Sequence, residues 1–179
     1  MDLQSIAAIA EMLAAIGVLL SLIFVGLQIR QNTQAQRVLA VETLSAAITA
    51  INVPAMESPV LGAAVSKVCA NWYDSTREER IVAHYFLFSI FKLLETAWYQ
   101  QKAGTLDPAH WAGWEQLMLM LYHSPGIQSV WWPLRRHAYS PEFQAYLATS
   151  RPSADIAPLS KLFDAPINAP SPPHSAGAM

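Results

Sequence analysis

The side chains best suited to chemistry in this chain stand apart from one another. His84, Lys92 and Glu95 come nearest to a constellation. His84 and Glu95 are eleven residues apart, three helical turns, so a helix would place both on one face with Lys92 between them. Metal sites inside helical bundles use Glu-x-x-His pairs on facing helices, and no such pair occurs here. Hydrogen-bonded buried polar groups are therefore the expected state of His84 and Glu95, and Lys92 is placed to pair with Glu95 at i and i+3. His110, His123 and His137 stand singly near helix ends, where His123 and His137 suit the negative end of the helix dipole. Cys69 has Lys67 as its nearest cation and no partner cysteine. It reads as a buried, inert thiol, and it fits a reducing compartment. The chain has no glycine-rich phosphate loop, no H-E-x-x-H, no G-x-S-x-G and no paired C-x-x-C. These absences predict a non-enzyme: no catalytic residue, no cofactor and no metal site is assigned.

Aromatic residues supply the other candidate surface. Trp98, Tyr99, Trp111, Trp114, Tyr122, Trp131 and Trp132 read as core between the last helices, with a ligand pocket as the alternative. Trp131 and Trp132 are neighbours on a predicted helix, so one is expected on the surface, meeting lipid headgroups or a partner protein.

The elements that position these residues are helices. Eighteen residues, Met12 to Ile29, run without a charge. Extended back to Ile6 the run meets the requirement of about 20 apolar residues for a membrane span. The expected transmembrane helix covers 5–29. A cleaved signal peptide would need a basic start, a shorter apolar stretch and a small-residue cleavage site. Here Asp2 is the one charged side chain ahead of Glu11 and no persuasive A-x-A follows. Arg30 and Arg37 flank the C-terminal end of the run, with no Lys or Arg before it. The positive-inside rule then puts the N-terminus outside and the rest of the chain in the cytoplasm.

One face of the span carries Ala7, Ala10, Ala14, Gly17 and Ser21, at spacings of 3, 4, 3 and 4. Small residues in this pattern let helix backbones approach closely in lipid, so they form a candidate assembly seam. Glu11 is the intramembrane polar residue. It lies near the outer interface, where its carboxylate can reach water.

Beyond Ile29 the helix is expected to continue to about Ile51, ahead of Asn52-Val53-Pro54, with Val41, Leu44, Ile48 and Ile51 as an apolar face. Ser58-Pro59, Asp107-Pro108, Ser124-Pro125 and Ser140-Pro141 each put a capping side chain before a helix-starting proline. Ser75-Thr76-Arg77-Glu78-Glu79 offers a capping box in either of two registers. The predicted helices are 59–71, 77–103, 108–123, 125–138 and 141–149. Pro133 should kink the fourth of these or end it early. The segment 77–103 is apolar, but His84, Lys92 and Glu95 argue against a second span. No alternating β-branched run occurs, so the fold class is all-α, with the long N-terminal helix continuing into a cytoplasmic bundle of about five further helices over 30–149. The stretch 150–179 is a Pro/Ala/Ser-rich tail expected to be mobile. The 179 residues carry a formal net charge of −2 and only 13% charged residues. With no basic block, nucleic acid is not an expected partner.

Several separated motifs agree in order: Gln28-Ile29-Arg30-Gln31-Asn32-Thr33, Glu95-Thr96-Ala97-Trp98-Tyr99-Gln100, Gly104-Thr105-Leu106-Asp107, Trp111 with Trp114, Ser124-Pro125-Gly126, Trp131-Trp132 and Ser140-Pro141-Glu142-Phe143. Over residues 5–148 the chain resembles a widespread, uncharacterised family of bacterial proteins with one N-terminal membrane helix and a small helical domain. The resemblance implies a single-pass protein of the bacterial inner membrane and brings no activity with it. Pro133 departs from the acidic residue the resemblance leads one to expect.

The leading expectation is a non-enzymatic, membrane-anchored protein whose partners are membrane lipid and itself or other membrane proteins. It would self-associate or serve as an accessory subunit of a membrane complex. The alternatives are a homo-oligomeric pore ringed by Glu11, and a ligand-sensing or metal-dependent helical domain using His84 and Glu95.

Overall fold

The computed structural model describes the backbone of residues 3–151 and the side chains of Gln4 and residues 11–151. Six helices and no strand occur among them. The fold is all-α. The tail from residue 152 on, and the side chains of Ala7 and Ala10, lie outside the described residues.

Helix α1 runs from Leu3 to Glu57 as one element of 55 residues. It divides into two parts by what its side chains meet. From Met12 to Ile29 the large apolar side chains are covered by nothing among the described residues and stay 48–70% exposed. This part is long and apolar enough to cross a membrane. Beyond Leu39 one stripe turns inward: Ala40 and Leu44 are buried, and Val41, Ala47, Ile48, Ile51 and Ala55 pack against the core. Leu44 is 1% exposed, and burying one leucine contributes roughly 2 kcal/mol. The expected stop near Ile51 does not occur. The helix passes Pro54 and ends at Glu57. A proline in the last turn forfeits one backbone hydrogen bond, and Ala55 beyond it still packs on the core.

Helices α2 (Pro59–Ala70), α3 (Arg77–Lys102) and α4 (Pro108–Tyr122) follow. The start of α3 uses the second register of its capping box: Thr76 Oγ1 accepts from the Glu79 N–H, and the Glu79 carboxylate accepts from the Thr76 N–H at 2.7 Å. Asp107 caps α4 by accepting from the Ala109 N–H at 2.8 Å. Ser58 makes no side-chain cap. Ser124 turns backward and donates to the Leu121 carbonyl, closing α4 rather than opening the next helix. Gly104, at φ +73°, supplies the left-handed turn after α3.

Helix α3 is the centre of the domain, packed against α1, α2 and α4. Ala83, Leu87, Phe91, Leu94 and Ala97 along it are all 0% exposed. It is a core helix, partly enclosed by its own chain. It runs antiparallel to α1. Gln100 lies beside Gln36 to Thr43, and Phe86 lies beside Asn52 and Ala55. The N-terminal end of α3 is therefore the end farthest from the apolar span.

Helix α5, over 125–138, is a composite. It contains a π-helical turn (Ile127–Trp131), an α-helical turn (Trp132–Arg135) and a 3-10 turn (Arg136–Ala138). Pro133 therefore does not end the helix. Proline has no N–H to donate and its ring crowds the carbonyl four residues back. The ladder widens just before it, with the Trp132 N–H donating to the Ile127 carbonyl five residues back. Gly126 at its head crosses α2 at backbone contact. A Cβ there would stand 1.8 Å from the Val68 carbonyl oxygen. Helix α6 (Pro141–Thr149) closes the domain, capped by Ser140 and filled by Phe143 and Leu147, both 0% exposed.

Candidate functional site

Of the proposed assembly seam, Ala14, Gly17 and Ser21 are described, and all three are exposed along the span. A Cβ on Gly17 would meet nothing within 4 Å, so the notch it leaves is open to a second helix. Ser21 Oγ donates to the Gly17 carbonyl at 2.9 Å. Its hydroxyl is thus satisfied within the helix. Glu11 is exposed and makes no ion pair among the described residues.

The second candidate site dissolves into separate jobs. Lys92 Nζ pairs with Glu95 Oε2 at 2.9 Å, as the spacing predicts, and also donates to the Ala138 carbonyl. The other Glu95 oxygen accepts from the Ser140 N–H at 2.7 Å. Burial pushes the Glu95 carboxyl upward, but the Ser140 amide and the Lys92 ammonium outweigh it and hold the group below the usual carboxylate range. Glu95 is thus a strut between α3 and the start of α6. His84 lies a further three turns along, roughly 16 Å away at the helical rise, and its Nδ1 accepts from Trp131 Nε1 at 3.1 Å. An indole nitrogen can only donate, so the His84 Nδ1 is unprotonated. Burial, then the Arg135 guanidinium, holds this imidazole below its ordinary range. The fold therefore gives His84 and Glu95 no common ligand. No group of three or more His, Cys, Asp or Glu that could hold a metal ion occurs among the described residues.

Cys69 is buried, and burial pushes its thiol up to about 11, against a hydrogen bond with Ser124 that pulls the other way. His123 closes α4, with Nε2 3.0 Å from Ser150 Oγ, and burial lowers its affinity for a proton.

The expectation for Trp131 and Trp132 is corrected: neither is on the surface. Trp131 is 1% exposed and Trp132 7%. A π turn holds more residues per revolution than an α turn, so neighbouring side chains diverge less. Here α5 also lies between two walls. Trp131 faces Phe91 of α3, with ring centres 5.1 Å apart. Trp132 stacks on Tyr139 at 5.2 Å and meets Tyr122 of α4 edge-on at 5.4 Å. These rings, with Trp98 and Trp111, are core as expected; of the rest of the aromatic set, Trp114 is partly buried against the core and Tyr99 is 40% exposed.

Two hollows flank this core. One, of about 280 Å³, is apolar and sits where Ile48 and Asn52 of α1, Leu61 and Val65 of α2, Ile90 of α3 and Met120 of α4 converge. The other is a cleft of about 250 Å³ at the N-terminal end of α3, lined by Trp72, Arg77, Arg80, Ile81, His84, Tyr85, Trp131, Leu134 and Arg135. Sequence reasoning missed this second site. Its signal was present in part: Arg77, Arg80, Ile81, His84 and Tyr85 follow the i, i+3, i+4, i+7, i+8 pattern of a single helix face. Arg135 arrives from α5 and no local pattern announces it. The ion pairs among the described residues are Lys67–Glu79, Lys92–Glu95 and Lys102–Glu142, so none of the three arginines is neutralised by them. Comparisons of the chain with protein-family models, with curated proteins and with solved structures each return no match.

Proposed function

We propose that this is a non-enzymatic, single-pass protein of the bacterial inner membrane, with its N-terminus outside and its helical domain in the cytoplasm. It assembles through its anchor, with itself or as an accessory subunit of a membrane complex. The continuity of α1 carries this reading: one helix holds both the unpartnered apolar span and the stripe around Leu44 that is built into the domain core. An anchor joined to its domain by a flexible linker could tether it but not orient it. A continuous helix fixes the domain to the anchor's rotation and tilt, which suits a subunit whose place in an assembly is set inside the bilayer. The open notch at Gly17 supports close helix packing there, and the order of motifs from Gln28 to Phe143 supports kinship with the anchored helical proteins it resembles.

The test is native mass in mild detergent, before and after Gly17→Ile. The wild-type chain is expected in a particle larger than its own 19.7 kDa, and the branched side chain in the notch is expected to reduce it to a monomer. A wild-type monomer, or an assembly unchanged by the substitution, would remove the seam's role.

A further inference from the structure

We propose that the cleft at the membrane-distal end of α3 binds a small phosphorylated ring compound of nucleoside monophosphate size, its phosphoryl group held by Arg77, Arg80 and Arg135 and its ring laid against Trp72 and Tyr85. This goes beyond anchored assembly; the binding itself does not depend on that reading, and only the choice of a dissolved ligand over a lipid headgroup rests on it.

Charge is the first argument. Three arginines line one small cleft, and among the described residues no Asp or Glu lines it with them. Like charges so placed repel one another, and a dianion between them turns that repulsion into attraction. Arginine's planar fork fits phosphoryl oxygens two at a time.

Preorganisation is the second. Arg80 Nε donates to the Trp72 carbonyl at 3.1 Å and its Nη2 to the Tyr73 carbonyl at 3.2 Å. These bonds fix the plane of the guanidinium. Its Nη1 group makes no hydrogen bond among the described residues and is left for a ligand. A side chain held in place before binding loses less entropy when the ligand arrives.

The walls supply the third argument. A bare anion has no use for them, yet Tyr85 is 68% exposed and Leu134 65% exposed beside the arginines, with Ile81 and the half-buried Trp72 completing the surface. Exposed aromatic faces next to guanidinium groups suit a flat ring that carries negative charge. About 250 Å³ lies just below the usual size of ligand pockets, roughly 300–1,000 Å³. One ring and one phosphoryl group fit that scale; a dinucleotide does not.

Position chooses between sources of phosphate. The cleft lies level with the last turns of α1, roughly 40 Å along the helix from Arg30 at ~1.5 Å per residue. Headgroups of the bilayer that α1 enters are out of reach, which leaves a dissolved compound.

The experiment is calorimetric titration of the full chain in phosphatidylcholine nanodiscs. The probes are the four ribonucleoside 5′-monophosphates, their four nucleosides, inorganic phosphate and a glutamate-rich peptide. At least one monophosphate should bind, with its nucleoside or phosphate alone at least tenfold weaker. Arg77→Gln with Arg135→Gln should weaken binding at least a hundredfold, about tenfold for each guanidinium removed. Both side chains are exposed, so helicity and melting temperature should not change. Tyr85→Ala should weaken the nucleotide about tenfold and leave phosphate unaffected. The proposal is overturned if none of the monophosphates binds at millimolar concentration, if the arginine pair proves irrelevant, or if the acidic peptide alone binds.

Discussion

Gly126→Ala should severely destabilise the helical domain, although it adds a single methyl group. That group would sit 1.8 Å from the Val68 carbonyl oxygen, 3.0 Å from its carbon and 3.1 Å from the Trp72 nitrogen. All three are backbone atoms, so no side chain can rotate away. Helix α2 cannot retreat either, because Ala64 and Val68 are 0% exposed against the core. Relief requires α5 to move bodily, and α5 carries Trp131 and Trp132 between α3 and α4. The expected loss is on the order of 4 kcal/mol or more, against a total stability of about 5–15 kcal/mol for a typical domain. Urea unfolding followed by tryptophan fluorescence measures it. Gly113→Ala is the control. A Cβ there meets nothing within 4 Å, so alanine in that exposed helical position should raise stability by about 1 kcal/mol. Equal effects at the two glycines would contradict the packing described for α5.

Ile16→Arg combined with Leu20→Arg should abolish stable membrane insertion and spare the fold. The two residues are one turn apart, on a face next to the seam, and are 53% and 61% exposed. Each arginine near the centre of a span costs about 2.5–3.5 kcal/mol by insertion scales. The wild-type chain should stay with membranes through an alkaline carbonate wash and the double variant should be released. The released protein should keep its near-ultraviolet tryptophan spectrum, because the part of α1 that enters the core begins only at Ala40. Retention of the double variant in the washed membranes would show that Met12 to Ile29 is not what holds the chain there.

Much of the architecture is written locally. Prolines preceded by Ser or Asp mark four helix starts, and the helices begin at those prolines, although only Asp107 and Ser140 cap with their side chains. The run of apolar residues at 12–29 and the stripe from Val41 to Ile51 are legible because each is a periodicity within one element. Features that depend on two elements are not. The burial of both Trp131 and Trp132 arises from a π turn forced ahead of Pro133 and from two separate walls, and a uniform helical wheel cannot show it. The persistence of α1 through Pro54 depends on what Ala55 touches. The arginine cleft is half legible: α3 displays its face in sequence, but Arg135 joins it from a helix whose position only the packing sets. The pairing of Lys92 with Glu95 is visible in their spacing; that Glu95 also holds the Ser140 amide across to α6 is not.

Orientation across the bilayer is the central claim, and cysteine accessibility tests it most directly. Gln4 and Met56 stand near opposite ends of α1 and both are exposed, while the buried Cys69 gives little background. In intact spheroplasts, Gln4→Cys should react with a membrane-impermeant maleimide, and Met56→Cys should react only after lysis. Labelling of Met56→Cys in intact spheroplasts, or protection of both positions until lysis, would contradict a helix that crosses the membrane with its domain inside.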